Sequence, residues 1–426
     1  MKKKDFLILG AGKTGLSAAK FFSNYNKSFD VGDTRNDPPG SDEITTITDE
    51  ADYFFGKNFL KINTQKYHFF FLSPGFNIRN IQIHKNRIVS ELDLFISKSI
   101  GNIIVVTGTN GKSSTVSYIS QMLKKNKITL LVGGNYGIPM LDLLTKQTDN
   151  SCSIIELSSF QLEFFQGDQT SSDFLRMALF LNFSPDHLDR HDNTHYYYLS
   201  KIKVAKLLRP NDILYFNGKD KRTLIQGNFI TKSFTNKLKA NDGEIDLFNY
   251  EAAQLVSLDY MKQNGHPCKS LPKYKDLIKL PYRMEKMIIN SRLSITNDSK
   301  STNPHSVSFA LNSLSSEKYI YLILGGDLKQ NSFKGFSTQA NIKKIFCYGK
   351  DASTIIDHLP QNIEALLMNT IDDVIKAIRD DFHINDSYED IHILFSPGCS
   401  SYDQFNDYQA RGDYFNELCS EHLNEF

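Results

Sequence analysis

The sequence has no apolar stretch approaching the ~20 residues that a membrane-spanning helix needs, and it carries almost no net charge. Lys and Arg total 49 against 48 Asp and Glu, so overall charge favours neither a membrane surface nor nucleic acid as a partner. Only five cysteines occur among 426 residues, scattered and without a C-x-x-C pair, which indicates neither a disulfide framework nor a zinc site. We expect a reduced, cytoplasmic compartment.

What the sequence does contain is a repeated succession of short apolar runs, glycine-rich turns and helical patterns. This succession is typical of parallel α/β sheets, whose buried strands are apolar on both faces. The length is that of about three domains. The predicted strands are 6–9, 67–72, 102–107, 153–157, 177–181, 213–216, 319–324, 344–348 and 392–395.

Two breaks divide the chain into predicted domains 1–98, 99–281 and 282–426. A helical pattern ends and a strand begins near residue 98, and a Leu-Pro-Tyr break lies at 280–282. The stretch 218–246 is polar and rich in Lys, Asn and Asp, so we interpret it as an irregular excursion of the middle domain.

A first glycine-rich loop, Gly10-Ala11-Gly12-Lys13-Thr14-Gly15, follows the first predicted strand. Glycines permit a tight turn in which helix-terminal N–H groups face a phosphate. Asp33 lies 18 residues after Gly15, as in a dinucleotide fingerprint. By itself the pattern leaves open NAD, another phosphate ligand or a purely structural turn.

A second loop, residues 108–114, is more specific because Gly-Lys-Ser follows a strand and opens a helix. Backbone N–H groups near Gly111 can cradle phosphates, Lys112 can reach the β- and γ-phosphates, and Ser113 can bind Mg²⁺. A standard P-loop has glycine where this chain has Val106, so the loop is a variant form.

Three further side chains are candidate functional residues, and each also has an ordinary explanation that involves no function. Glu156 ends a predicted strand, where a carboxylate suits Mg²⁺, although it could simply precede a helix. His187 follows another strand between acidic residues, yet a lone histidine is usually structural. Lys201 lies on a predicted helix, 196–208, where most lysines are solvated.

Polar loops after later strands complete the candidates. In 296–304, Asp298 and Lys300 could contact a ribose and a phosphate, or the loop could be an ordinary turn with a helix cap. Lys329 and Ser401 also follow strands and could together bind a carboxylate.

As a set, these motifs resemble the Mur ligases, the ATP-dependent amide-forming enzymes of peptidoglycan synthesis, and most of all their MurD type. The resemblance extends from about residue 5 to about residue 420. The residues that carry it are 10–17, 108–114, 156–163, His187, 297–303, 396–405 and the pair Arg411-Gly412.

The resemblance implies a three-domain α/β fold. A Rossmann-like domain, 1–98, would bind the UDP-sugar; a P-loop ATPase-like domain with a parallel sheet, 99–281, would bind ATP; a Rossmann-like domain, 282–426, would bind the amino acid and close over ATP. The implied reaction joins D-glutamate to UDP-N-acetylmuramoyl-L-alanine through an acyl phosphate, with two Mg²⁺ ions and a carbamylated Lys201. The enzyme is expected to be a monomer.

The resemblance also assigns roles to residues. The catalytic residues would be Lys112, Glu156, His187 and Lys201, and the metal ligands Ser113, Glu156, His187 and Lys201. The ATP-binding residues would be Gly108, Thr109, Asn110, Gly111, Lys112, Ser113, Ser114, Asn249, Arg283, Asp298 and Lys300. The UDP-sugar-binding residues would be Gly12, Thr14, Gly15, Asp33, Thr34, Arg35, Ser73, Asn135, Ser158 and Gln161. The D-glutamate-binding residues would be His187, Thr302, Lys329, Ser401 and Tyr408.

Other functions are weighed against this one. Another Mur-type amino-acid ligase or a folylpolyglutamate synthase is the nearest alternative, although several Mur ligases carry Asp-Tyr-Ala-His where this chain has Asp298-Ser299-Lys300. A nicotinamide dehydrogenase would use the first loop but leaves Lys112 and Lys300 unexplained. A non-catalytic nucleotide-binding regulator would bind ATP without releasing phosphate.

Overall fold

The structure is a computed structural model of the chain. It describes residues 3–126, 128–167, 174–235, 247–267, 270–290, 292–315, 317, 319–329, 332–336, 341–385 and 390–423. The chain forms two compact units. The first comprises 1–183, 195–235 and 248–277, and the second comprises 184–194, 236–247 and 278–426.

The first unit begins with a five-stranded parallel sheet in the order β3-β2-β1-β4-β5. Its strands are β1 (Lys4–Leu9), β2 (Phe29–Asp33), β3 (Tyr53–Phe55), β4 (Tyr67–Leu72) and β5 (Ile88–Val89). The helices are α1 (Lys13–Asn24), α2 (Ser41–Ile44) and α3 (Glu91–Lys98). The first glycine-rich loop leaves the carboxyl end of the central strand β1, the edge at which such sheets bind ligands.

A second parallel sheet in the same unit has the order β11-β10-β9-β6-β8-β7. Its strands are β6 (Asn102–Thr107), β7 (Thr129–Gly134), β8 (Ser151–Glu156), β9 (Arg176–Phe180), β10 (Ile213–Asn217) and β11 (Ile230–Phe234). The helices in this part of the chain are α4 (Lys112–Lys124), α5 (Met140–Leu143), α6 (Ser159–Glu163), α7 (Leu188–His191), α8 (Thr194–Ile202) and α9 (Leu247–Gln263). Of these, α7 belongs to the second unit. Strand β6 is inner and almost wholly buried, which explains its continuous apolar run.

The two sheets of the first unit share one apolar core. Ile8 of β1 and Leu92 of α3 belong to the same buried cluster as Val105 of β6 and Leu162 of α6. Helix α3, which ends at the predicted boundary at residue 98, therefore packs into the core that the two sheets share. The ranges 1–98, 99–281 and 282–426 remain a prediction about domains.

The second unit contains a six-stranded sheet in the order β12-β13-β17-β14-β15-β16, parallel except for β12. Its strands are β12 (Glu285–Ile288), β13 (Leu293–Asn297), β14 (Tyr319–Gly325), β15 (Ile342–Tyr348), β16 (Glu364–Leu367) and β17 (Ile391–Gly398). Its helices are α10 (Pro304–Ser313), α11 (Ala352–Asp357), α12 (Ile371–Asn385) and α13 (Tyr408–His422). Two buried apolar clusters, one including Leu322 and Leu394 and the other including Ile323 and Phe395, draw alternate residues from β14 and β17.

The predicted α/β class with parallel sheets is confirmed, and two local expectations need correction. The predicted helix 196–208 ends as an α-helix at Ile202 and continues as a 3₁₀ turn, Lys203–Leu207. Part of the polar excursion is ordered: its described portion contains β11, and the remainder, 236–246, lies outside the described residues. The excursion thus supplies an edge strand to the second sheet.

Two further observations bear on the expected environment. Within the described ranges, no helix is both long and apolar enough to cross a membrane. The four described cysteines, Cys152, Cys347, Cys399 and Cys419, are buried free thiols, and burial raises the pKa of each. Cys268 lies outside the described residues.

Candidate active site

The second glycine-rich loop leaves β6 and leads directly into α4. Gly111 caps the helix in a left-handed conformation, with φ of +83°, and no side chain caps the first N–H groups. These N–H groups, together with the positive end of the helix dipole, form an anion-binding site that suits phosphate. The geometry therefore fits the predicted phosphate cradle.

Two lysines donate hydrogen bonds to the carbonyls of this loop. Lys112 Nζ lies 3.0 Å from the oxygen of Gly108 and 2.8 Å from that of Thr109. Lys201 Nζ, which is buried, lies 2.7 Å from the same Gly108 oxygen. The loop and α8 thus bring together two of the four predicted catalytic residues.

Sequence reasoning missed two residues that hold this loop. Asn182 accepts the Asn110 N–H at 2.9 Å and donates to the Asn110 carbonyl at 3.0 Å. The Tyr197 hydroxyl lies 3.2 Å from Thr109 Oγ1, and the Tyr197 ring lies beneath Lys201 Nζ at 4.8 Å from the ring centre. Tyr197 could have been noticed because it lies four residues before Lys201 on the same helix.

Asn249, from α9, packs against the loop from another direction. Its Oδ1 lies 3.4 Å from Thr115 Oγ1, and a Cβ built on Gly111 would come within 2.2 Å of it. Only glycine therefore fits at position 111 in this conformation. The structure places Asn249 beside the loop to which the resemblance assigned it.

Glu156 ends β8, the strand beside β6, with Val106 as its register partner. The side chain is buried; Oε1 accepts from Asn135 Nδ2 at 2.6 Å, and Oε2 has no hydrogen-bond partner among the described residues. An unpaired carboxylate oxygen in the interior is costly unless a cation or a donor meets it. Glu156 therefore fits a hard cation such as Mg²⁺.

The grouping of acids, histidines and cysteines among the described residues bears on the predicted metal site. Across the described ranges, no three His, Cys, Asp or Glu side chains are grouped as a metal site. The predicted ligand set included only two such residues, Glu156 and His187. Its other two members, Ser113 and Lys201, are of other kinds.

The first glycine-rich loop is held by an acid rather than by lysines. Both oxygens of Asp33 are engaged: Oδ2 accepts from the Ala11 N–H at 2.8 Å, and both oxygens accept from Arg35 at 2.7 and 3.0 Å. Burial alone would raise the pKa of the Asp33 carboxyl, but these hydrogen bonds outweigh it and lower the pKa. Ser73 Oγ donates to the Gly10 carbonyl at 2.8 Å.

The remaining predicted UDP-sugar residues occupy three places. Ser158 and Gln161 form a capping box at the start of α6, just after Glu156. Gly12, Thr14 and Gly15 open α1, where a Cβ on Gly15 would lie 1.9 Å from the Gly10 oxygen. The last predicted residue of this group, Thr34, follows β2 in an exposed position.

In the second unit, a turn after β13 carries the predicted nucleotide contacts. The Asp298 carboxylate accepts from Ser396 Oγ at 3.0 Å and from the Met284 N–H at 3.3 Å. Lys300 Nζ lies over the Tyr408 ring, 4.0 Å from its centre. Arg283, the third predicted contact there, precedes Met284 in the chain and is partly buried.

His187 belongs to the second unit and adopts a left-handed conformation with φ of +53°. Its N–H donates to Asp186 Oδ1 at 2.8 Å, and Asp186 Oδ2 accepts from Asn303 Nδ2 at 3.1 Å. A non-glycine residue held in this region is strained, and such strain is often found at functional sites. Asp186 therefore connects His187 to the loop that carries Thr302.

The other predicted D-glutamate residues follow β14 and β17, which are neighbours in the sheet. The backbones of Asp327 and Ser400 exchange two hydrogen bonds, of 3.0 and 2.8 Å. Lys329 also has a positive φ, +47°, and its N–H donates to Asp327 Oδ1. Lys329 and Ser401 therefore lie on two loops that the sheet brings together.

Comparisons with known proteins agree with this geometry. Residues 4–89 match the family model of the Mur ligase MurD-like N-terminal domain, and residues 106–269 match that of the Mur ligase middle domain. Two UDP-N-acetylmuramoylalanine–D-glutamate ligases are similar over nearly their full length. That of Buchnera aphidicola subsp. Schizaphis graminum is 31% identical, covering 98% of each chain. That of Caldicellulosiruptor saccharolyticus is 30% identical, covering 98% of this chain and 99% of the relative.

The chain belongs to the Mur ligase family. Its N-terminal match and its full-length relatives place it with the MurD type. A solved structure of a MurF ligase from Thermotoga maritima, in complex with ADP, shares the fold, with a TM-score of 0.59 at 13% identity, covering 100% of this chain and 96% of that chain. Mur ligases use ATP and metal ions, and the phosphate cradle and the buried Glu156 fit both.

Proposed function

We propose that this chain joins D-glutamate to UDP-N-acetylmuramoyl-L-alanine, with hydrolysis of ATP to ADP and phosphate, in peptidoglycan precursor synthesis. The observation that carries the proposal is the agreement on one activity between full-length relatives at about 30% identity. The MurD-like match of residues 4–89 supports the same choice within the family.

The first chemical step creates a leaving group. A carboxylate is a poor electrophile, so an oxygen of the alanyl carboxylate attacks the γ-phosphorus, the bond to the bridging oxygen breaks, and ADP leaves. Two anions approach each other in this step. We assign Lys112 and the N–H groups at the start of α4 to offset that repulsion, because they meet at the loop where the phosphates would lie.

The second step forms the amide. The amine of D-glutamate attacks the acyl carbon, phosphate leaves with its electron pair, and the nitrogen loses a proton. In the second unit, Thr302, Lys329, Ser401 and Tyr408 are assigned to hold D-glutamate, and His187 is assigned to it as well. A lysine ammonium and hydroxyl groups are suitable partners for the two carboxylates of this amino acid.

Ser113 and Glu156 are proposed to bind Mg²⁺, which, when bound, neutralises charge on the phosphates. The resemblance adds Lys201 and, in the second unit, His187. Lys201 is assigned as a carbamate: its ammonium group loses a proton, the neutral amine adds to CO₂, and a second proton is released, which replaces a cation by an anion with two oxygens. Lys201 is buried beside the Gly108 carbonyl, at the loop assigned to ATP.

The remaining assignments follow the same resemblance. We assign the UDP-sugar to the predicted group that begins at Gly12 and ends at Gln161. ATP is assigned to residues 108–114 and Asn249, with Arg283, Asp298 and Lys300 contributed by the second unit. The domain ranges 1–98, 99–281 and 282–426, the monomeric state and the cytoplasmic compartment are part of the same proposal.

A phosphate-release assay tests the function. The purified chain is incubated with ATP, Mg²⁺ and UDP-N-acetylmuramoyl-L-alanine, together with one amino acid from a panel: D-glutamate, L-glutamate, meso-diaminopimelate or L-lysine. We expect phosphate and a new amide product only with D-glutamate. Release with another amino acid would indicate another Mur-type ligase. A parallel reaction replaces the UDP-sugar by a pteroate acceptor, and release there would indicate folylpolyglutamate synthesis.

A further inference from the structure

A buried arginine in the second unit joins two loops with different proposed substrates. Arg411, on α13, is fully buried. Its Nε lies 3.0 Å from Ser299 Oγ, its Nη2 lies 2.7 Å from the Ser299 carbonyl oxygen, and its Nη1 lies 3.0 Å from the Cys399 carbonyl oxygen. One guanidinium therefore holds the turn after β13 and the loop after β17.

Each of the two segments carries substrate contacts under the proposed function. Ser299 lies between Asp298 and Lys300, both assigned to the nucleotide. Cys399 lies two residues before Ser401, which is assigned to D-glutamate. The hydrogen bonds of Arg411 go to Ser299 and to the Cys399 carbonyl, so it acts through the segments that carry Asp298, Lys300 and Ser401.

Other hydrogen bonds also join the start of α13 to the end of β13 and the turn that follows it. Ser299 Oγ donates to the Tyr408 carbonyl at 2.8 Å, and Asn297 Nδ2 donates to the Gly412 carbonyl at 3.0 Å. Directly between the two segments, the Gly398 N–H donates to the Ser301 carbonyl at 3.0 Å. The start of α13, the turn after β13 and the loop after β17 are thus connected by one set of hydrogen bonds.

The chemistry of arginine explains why this connection needs that residue. A guanidinium presents its N–H groups as a rigid planar fork, so it can direct separate donors to three fixed oxygens. A lysine ammonium at the same place has a single nitrogen and cannot span both segments. Carbonyl oxygens left without a donor in the interior would move to find one.

We propose that Arg411 is a positioning residue that fixes the nucleotide-contacting turn and the D-glutamate loop relative to each other. The proposal rests on the proposed function for the identity of the two substrates. It places the control of two substrate affinities in one residue that contacts neither substrate.

The experiment compares Arg411→Lys with Arg379→Lys, which changes a partly exposed arginine of α12 in the same unit that pairs with Asp380. We expect Arg411→Lys to raise the KM for D-glutamate about tenfold and that for ATP severalfold, while the KM for UDP-N-acetylmuramoyl-L-alanine changes less than about twofold. Arg379→Lys should change none of them. In Arg411→Ala, millimolar guanidinium should restore part of the lost D-glutamate affinity.

Amide hydrogen exchange provides a readout that does not depend on the substrates. In Arg411→Lys, the amides of Ser299, Ser301, Gly398 and Ser400 should exchange faster together, whereas in Arg379→Lys they should not. Unchanged exchange and unchanged KM values in folded Arg411→Lys would overturn the proposal, even if Arg411→Ala does not fold. A wild-type chain that ignores D-glutamate would instead overturn the proposed function, and the exchange data would still decide the positioning role.

Discussion

Two loops of the first unit begin a helix with the same dipeptide, Gly-Lys, yet their surroundings differ. In the first, Gly12 precedes Lys13 at the start of α1; in the second, Gly111 precedes Lys112 at the start of α4. Each loop leaves a strand inside a parallel sheet, so each presents helix N–H groups at the carboxyl edge. Their local sequences alone would predict two similar phosphate sites.

The difference lies in what the rest of the chain brings to each loop. Lys13 is exposed, whereas Lys112 folds back onto the carbonyls of its own loop. The first loop is fixed by the carboxylate of Asp33, and the second by the Lys201 side chain, whose Nζ donates to the Gly108 carbonyl. A loop with an inward-facing lysine such as Lys112 suits the transfer of a phosphoryl group, and a loop without one suits the binding of a stable phosphate ester.

Substitution of the two lysines is the strongest test of this comparison. Lys112→Ala should lower turnover by about 10²–10³-fold because it removes a donor to the γ-phosphate in the transition state. The measurement is steady-state phosphate release with a folded variant. The matched control, Lys13→Ala, should keep turnover within about twofold, and similar losses from both variants would show that the two loops do not differ in this way.

Lys201 tests whether the second loop needs an anion or a cation beside it. Lys201→Ala should lose about 10²-fold or more in turnover, and a short carboxylic acid should partly restore it by supplying oxygen ligands. Lys201→Arg should stay inactive because it cannot form the carbamate. An active Arg variant would mean that position 201 supplies positive charge; exposed Lys206, changed to Ala, is the control.

Glu91 lies in the first unit, in the region where the sheet that carries the first loop meets the sheet that carries the second. Its carboxyl group tests how this region responds to pH. Burial raises the pKa of its carboxyl to about 7, although it accepts the Met140 N–H at 2.7 Å. Between the ordinary value of 4.5 and about 7, the folded state binds more protons than the unfolded state. Stability should therefore fall as pH rises through this window, and the loss should be complete above it.

Glu91→Gln should remove that dependence. The variant should be more stable than the wild type at pH 8, on the order of 1–3 kcal/mol, and close to it at pH 5. Urea unfolding at the two pH values measures the difference. Glu43→Gln, an exposed acid of the same unit, should leave the wild-type pH dependence in place; equal slopes for Glu91→Gln and wild type would contradict the assignment.

The two capping glycines sharpen the comparison at the backbone. Gly111→Ala should destabilise the fold by about 1–3 kcal/mol, since it forces a left-handed alanine against Asn249. Gly12→Ala should cost less than about 1 kcal/mol, because its φ is negative and a Cβ there meets open space. Thermal unfolding of both variants provides the measurement, and equal losses would remove the contrast.

Arg35 provides the smallest expected effect. Arg35→Ala should weaken UDP binding about threefold to tenfold, because it removes a proposed contact and the guanidinium that donates to both oxygens of Asp33. Calorimetric titration with UDP measures the affinity, with Lys20→Ala as the exposed control on α1. Excess NAD should not displace UDP. Displacement would indicate that the first loop binds a dinucleotide instead.

The sequence alone indicated the sheets because strands buried on both faces need continuous apolar runs, such as those of β6 and β14. Glu156 and Lys112 could be found from sequence because each lies in a short motif at a strand end. The loop contacts of Asn182 and Tyr197 could not be inferred, because they join segments more than 70 residues apart in the chain. The spacing of Tyr197 from Lys201 was a local signal, but it does not show what Tyr197 contacts.

The same limit explains why the predicted end of α8 was wrong and why the contacts of Arg411 could not be predicted from the sequence. The apolar pattern of 196–208 is nearly the same for an α-helix and a 3₁₀ turn, so packing decided where α8 ends. What the sequence determined was local: strands, glycine turns and the residue types that meet phosphate. The tertiary structure decided which distant side chain reaches each loop, because a hydrogen bond depends on distance in space and not on separation along the chain.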